Sequence, residues 1–203
     1  ANKSLIDSAT YHLGARESIY NVYEIKEPLG FNLYTFDIPG YTDRPGIYLD
    51  PNSGHGYSDE FERFLGFQIS VLDTLIRWDL DPDVLHCHDH HTGLVPFMVQ
   101  QCVAFKRLSN TPTMITVHNA EYHGNQDIGK RFLLPDFDIL NTGLLEWAGE
   151  LNSLACALKC AWKISTVSPS YLKELQTNSN GLELLFELES GKSVGLLNGI
   201  DLE

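Results

Sequence analysis

Val84-Leu85-His86-Cys87-His88-Asp89-His90-His91-Thr92-Gly93 (residues 84–93) changes character half-way along. Val84 to His88 reads as a short buried strand, and the residues from His91 to about Lys106 follow it as a helix. The same unit recurs toward the carboxyl end. Thr113 to Val117 (TMITV) is β-branched and strand-like, Leu144 to Trp162 reads as a helix, and Ile164 to Val167 as a third strand. Ser168-Pro169 opens another helix, with Ser as N-cap and Pro at the first helical position. Ser193 to Leu197 is a fourth strand. Strands alternating with helices predict an α/β fold, a Rossmann-like, doubly wound parallel sheet. Ligands of such sheets sit outside the carboxyl ends of the strands, where helix N-termini turn their free N–H groups. The residues that follow each strand are therefore the ones to inspect.

Upstream, Ser18 to Lys26 and Phe31 to Ile38 are rich in aromatic and β-branched residues and read as extended segments. A loop dense in Gly, Pro, Asp and Asn runs from Pro39 to Tyr57. Asp59 to Trp78 then reads as an amphipathic helix, with Phe61, Phe64, Leu65, Ile69, Leu72, Leu75 and Ile76 on one stripe and Ser58 as its N-cap. A second long loop spans His118 to about Asn141. A net charge of -13 with no cluster of Lys and Arg argues against a nucleic-acid partner. The four cysteines, Cys87, Cys102, Cys156 and Cys160, lack the spacing of a disulfide scaffold and read as reduced thiols. No apolar run reaches the ~18 residues of a membrane span and no signal peptide is visible, so the expected location is cytoplasmic.

Four of the eight histidines fall within residues 86–91. Three readings compete for them. Imidazoles at alternate positions of a strand end can converge on a metal, and H-x-H-x-D-H is the dinuclear zinc pattern of the metallo-β-lactamases, with His90 here standing where their Asp would be. That reading makes the chain a zinc-dependent hydrolase. Alternatively, His91 at a helix N-terminus stays neutral and offers both a donor and an acceptor to a sugar hydroxyl. In the third reading His86 and His88 are satisfied core residues that hold no ligand. Asp89 reads as an N-cap.

Five segments share one resemblance. HDHHTGLVP (residues 88–96) resembles the HDWHTGL segment of the bacterial glycogen synthases and starch synthases. TVHNAEYHG (116–124) is similar to their TIHNxxYQG, and DRPGIY (43–48) to their DRPGIYG loop. TVSPSYLKEL (166–175) and VGLLNGID (194–201) resemble TVSPxYxxEI and VGILNGID. The matches run in the family's order and cover nearly the whole chain. The resemblance implies the N-terminal, acceptor-side half of a two-domain GT-B glucosyltransferase. Such an enzyme moves glucose from ADP-glucose to the non-reducing end of an α-1,4-glucan with retention, and needs no metal or other cofactor. It further implies that His91 lies against the donor glucose as the catalytic-site histidine and that Tyr48 lines the nucleotide side of the cleft. His118 and Asn119 should face the same cleft, and Tyr122 should form part of the acceptor wall.

The sequence also departs from the family. His90 replaces a Trp, with consequences expected for acceptor stacking. Ala155 stands where the family has the Lys of N-x-x-K, and Trp162 where it has Asp. Neither the family's K-x-G-G-L loop, which approaches the donor phosphates, nor its nucleotide-sugar domain occurs in residues 1–203. The expected reading is an incomplete GT-B N-terminal domain whose partner is its own C-terminal domain, inactive without it. A non-catalytic glucan-binding module is the alternative that uses the same surface without chemistry.

Overall fold

The computed structural model describes residues 3–199. It opens with an antiparallel meander of β1 (Lys3–Leu13), β2 (Arg16–Ile25) and β3 (Leu33–Asp37). Helix α1 (Glu60–Arg77) buries Phe61, Leu65, Ile69 and Leu72 on the stripe expected from the sequence and packs against β1 and β3. Two polar ties fix it there. The Tyr20 hydroxyl donates to Asp73 (2.5 Å), and Arg77 forks onto Asp7 (2.8 and 2.9 Å). The chain continues through β4 (Leu85–His88), α2 (Val95–Gln101) and β5 (Thr113–Val117). Next come the short strands β6 (Asn125–Gln126), β7 (Glu146–Trp147) and β8 (Glu150–Asn152) and helix α3 (Ser153–Cys160). It ends with β9 (Lys163–Thr166), α4 (Pro169–Leu175), α5 (Glu183–Leu188) and β10 (Ser193–Gly195).

The expected parallel sheet is present, in the order β10-β9-β5-β4. β5 lies inside it because Thr113, Ile115 and Val117 alternate into the core and their β-branched side chains suit a pleated surface. α3 is buried on almost every side, which its run of Ala, Cys and Leu permits. Its first turn is capped by Asn152, whose side-chain oxygen accepts from the Ala155 N–H (2.7 Å). Ser168 caps α4 as expected, accepting from Tyr171 N–H (3.0 Å). All four cysteines are free and buried.

Several expectations need correction. β1 was not read from the sequence, because Lys-Ser-Leu-Ile-Asp-Ser-Ala-Thr-Tyr-His-Leu has few β-branched residues and a bulge between Leu5 and Asp7 breaks its alternation. Ser58 does not cap α1. Asp59 holds the N-cap position and makes no cap hydrogen bond, since its carboxylate is engaged by Arg44. The helix expected over 91–106 breaks at Cys102, whose extended backbone lets Val103 N–H donate to Asp136 O (3.0 Å) and whose thiol meets Pro135 O (3.4 Å). The helix expected over 144–162 begins only at Ser153. Ala148 and Gly149, both at positive φ (54° and 88°), turn the preceding residues into the β7–β8 hairpin. Ile200 and Asp201 of the VGLLNGID segment lie outside the described residues.

The last strand meets α4 at close range. A Cβ added at Gly195 would lie 2.4 Å from Pro169 Cα and N and from Ser168 O, all backbone atoms that cannot swing aside. Gly195→Ala should therefore cost about 1–3 kcal/mol, the usual range for overpacking, read as a lower urea midpoint with unchanged slope.

Candidate functional site

The site is built where β4 and β5 end. After His88 the backbone turns through Asp89 at φ 52°, a left-handed conformation uncommon for a residue other than glycine. Thr92 clips the turn, accepting from His88 N–H (2.6 Å) and donating to His88 O (2.8 Å). Asp89 does not cap the single 3₁₀ turn His90–Thr92. Its Oδ1 reaches across to accept from the backbone N–H groups of His118 (2.7 Å) and Asn119 (3.3 Å). The carboxylate thus joins the end of β4 to the end of β5. Gly93 follows because a Cβ there would lie 2.4 Å from Ser153 O.

This turn divides the histidines into two groups. His86, His88 and His118 form an exposed row, with ring centroids 4.3 and 5.3 Å apart. His88 Nδ1 lies 3.0 Å from His118 Nε2, and His86 Nε2 lies 2.6 Å from Thr116 Oγ1. The expectation of core histidines therefore fails: both His86 and His88 face outward. His90 and His91 stack on each other at 3.8 Å, in a setting shielded from solvent. The edge of Phe64 packs on His91 at 4.5 Å, and the Tyr48 ring lies 5.7 Å from it. Among the described residues no three His, Cys, Asp or Glu side chains are arranged to hold a metal ion, so the H-x-H-x-D-H pattern is not realised in space.

The electrostatics follow from burial. Loss of solvent, and then the neighbouring His91, push His90 down to about 4. Burial, aided by Arg63 and opposed by Asp89, also lowers His91. Its neutrality thus comes from desolvation, where a helix dipole was expected; the turn that follows Asp89 is only three residues long. Burial raises the Cys87 thiol to about 12, which removes it as a nucleophile near neutrality. His90 Nδ1 and His91 Nε2 are both buried and lack a protein partner. Beside His90 lies a cavity of about 20 Å³ lined by Glu60, Phe64, Gln68, Gly124 and Ser153, room for one water.

The other expected residues are placed as follows. Tyr48 and Tyr122 are exposed, at 57% and 62%. His118 and Asn119 sit at the mouth beyond β5, and Asn119 Oδ1 accepts from Glu121 N–H (2.9 Å) to shape the turn toward Tyr122. Ala155 is fully buried in α3, where a lysine would have to bury its charge. Sequence reasoning missed His123. Its buried ring bonds Ala120 O (2.7 Å) and Ser179 O (3.2 Å) and meets Asn152 (3.4 Å), tying the 118–124 loop to the start of α3. A capping Asn ahead of the Ala- and Leu-rich run was the available signal. A larger hollow of about 840 Å³, between β1, α1 and residues 132–136, is lined by none of the expected site residues.

The family described as the starch synthase catalytic domain matches residues 2–188 of this chain. The chain belongs to that family. Over 180 residues the chain is 46% identical to a glycogen synthase of Flavobacterium johnsoniae, covering 89% of this chain and 37% of that protein. It is 34% identical over 199 residues to a glycogen synthase of Lactobacillus acidophilus, covering 94% of this chain and 40% of that one. The chain thus spans about two fifths of the length of these relatives. Its fold matches the catalytic domain of starch synthase IV from Arabidopsis thaliana, solved with ADP and acarbose, with a TM-score of 0.78. That match has 23% identity and covers 98% of this chain and 41% of the other. Among the described residues, no helix is long and apolar enough to cross a membrane.

The stacked pair predicts a pH dependence. Unfolded, His90 and His91 take up protons near 6.5; folded, His90 does so only near 4 and His91 below its usual value. The unfolded state binds more protons in that window, so stability falls as pH drops below 6.5. The urea midpoint of the chain should decline from pH 7 to pH 5, and His90→Phe should flatten the decline. An equal decline in both proteins would place the proton uptake elsewhere.

Proposed function

We propose that this chain is the acceptor-side half of a cytoplasmic, retaining GT-B glucosyltransferase of the glycogen and starch synthase type. It works with the C-terminal, nucleotide-binding domain of a longer protein. The donor is ADP-glucose and the acceptor is the non-reducing end of an α-1,4-glucan. The bond between glucose C1 and the diphosphate oxygen breaks, ADP leaves, and a bond forms from C1 to the glucan 4-hydroxyl, whose proton passes to the departing side. One observation carries the reading: a half-buried histidine with its basicity lowered and a buried, unpartnered Nε2, at the carboxyl end of a parallel sheet, backed by Phe64 and faced by Tyr48.

In this reading His91 Nε2 takes a glucose hydroxyl as its missing partner. A neutral imidazole suits the task, because a second cation is not needed where the diphosphate is neutralised from the other domain. Tyr48 borders the nucleotide side. His118, Asn119 and Tyr122 form the glucan side, Tyr122 offering an exposed ring to a sugar face. His90 flanks the acceptor in place of the family's Trp. Of the side chains beside His91, Asp89 is committed through Oδ1 to two backbone N–H groups and Cys87 is buried and protonated. That supports a front-face displacement without a covalent enzyme intermediate. The reaction as read uses no metal.

Transfer of labelled glucose from ADP-glucose to glycogen is the direct test. The protein extended through its C-terminal domain should be active and indifferent to EDTA, and the 203-residue chain alone inactive. His91→Ala in the longer protein should lower kcat by about 10²–10³, the usual loss when one transition-state hydrogen bond is removed. Transfer abolished by EDTA, or full activity of the short chain, would overturn the reading.

A further inference from the structure

The 43–57 loop carries Tyr48, yet little of it is held by packing: Ile47 is 65% exposed, Tyr48 57% and Leu49 55%. Polar grips hold it instead, and they converge on one helix end. Arg44 forks onto Asp59, Nη1 to Oδ1 at 2.5 Å and Nη2 to Oδ2 at 2.6 Å. Its guanidinium lies over two rings, 5.3 Å from the centroid of Tyr41 and 5.0 Å from that of Tyr57. The Tyr57 hydroxyl donates to Pro45 O (2.5 Å), and Arg63 Nη1 donates to Ile47 O (2.5 Å). Asp59 is the N-cap of α1, and Arg63 and Phe64 lie in its next turn. The helix end that presses Phe64 onto His91 therefore also grips the loop at 44, 45 and 47, the residues leading to Tyr48.

We propose that Arg44, through its fork to Asp59, is a positioning residue that holds Tyr48 over His91 without itself touching substrate. What His91 does there rests on the function proposed above; the positioning does not. His90, Phe64 and Tyr48 are the rings packed around His91, and only Tyr48 comes from the loop. Freeing the loop therefore uncovers His91. Lysine cannot replace Arg44, because a point charge cannot make the parallel fork onto Asp59. The pair is partly open to solvent, with side-chain exposures of 24% and 35%, so it contributes more to geometry than to global stability. The Arg77–Asp7 fork has the same chemistry on a different part of the fold and serves as a control.

The experiment is carbethoxylation by diethyl pyrocarbonate, mapped by peptide mass spectrometry on the 203-residue chain. In the unaltered chain His91 should react slowly and the exposed His118 quickly. In Arg44→Ala, Arg44→Lys and Asp59→Asn the His91 rate should rise roughly tenfold, equivalent to about 1.4 kcal/mol of lost loop closure, with His118 unchanged. Circular dichroism should show all three folded, and Asp59→Asn carries the test if the Arg44 variants are not. In the longer protein Arg44→Lys should raise KM for the nucleotide sugar more than it lowers kcat. An unchanged His91 rate in the three variants, or an equal rise in Arg77→Lys, overturns the proposal. A longer protein that transfers no glucose while His91 remains protected by Arg44 would overturn the function and leave the positioning intact.

Discussion

The carboxylate of Asp89 is the contact on which the carboxyl end of the sheet depends. Strands β4 and β5 are already neighbours, but their hydrogen-bond ladder stops at His88 and Thr116. Beyond it two chains leave in different directions with unpaired N–H groups. Asp89 satisfies two of these, on His118 and Asn119, and adopts a left-handed backbone to do so. That bend sends His90 and His91 inward against α1 and leaves His86 and His88 outside. Local strain of this kind, of order 1–3 kcal/mol, persists only where surrounding contacts over-determine it. Here they include the Thr92 clip, the Gly93–Ser153 approach and the His90–Gly124 packing, where a Cβ on Gly124 would lie 2.9 Å from the His90 ring.

Much of the frame was legible in the sequence because periodicity reports burial. TMITV is β5 to the residue, and the apolar stripe from Phe61 to Ile76 is the buried face of α1. Local signals failed where a distant contact overrode them. Nothing in 91–106 announces that Cys102 will leave its helix to pair with residues 135–137, which lie more than thirty positions away. Ala148-Gly149 is a weak turn signal that a long apolar window hides. The site followed the same rule. Motif resemblance brought Tyr48 and His91 together, and the structure places their rings side by side. The role of Asp89 and the buried bonds of His123 could not be read, since both reach across to backbone groups that sequence pattern does not reveal.

The two histidine groups also show how one composition yields two chemistries. Burial is the first cause that moves the inner rings away from protonation, helped by His91 at His90 and by Arg63 at His91, and in the outer row it also lowers His88, with His86 and His118 adding to the effect. The cavity beside His90 is small and lined mostly by apolar surface from Phe61, Phe64 and Leu94, with Glu60, Gln68 and Ser153 at its edge. A bulkier aromatic ring at position 90 would compete with Gly124 for that space.

The four thiols have a consequence outside the reaction. Every one is buried and none is paired, with Cys87 and Cys102 raised to about 12 by that burial. They sit in four different settings: the edge strand β4, the break after α2, and two successive turns of α3. A thiol reagent meets none of them until its own neighbourhood opens. The chain therefore carries a built-in set of clocks, and the order in which its cysteines become reactive in mild denaturant would record which parts of the sheet and its helices let go first.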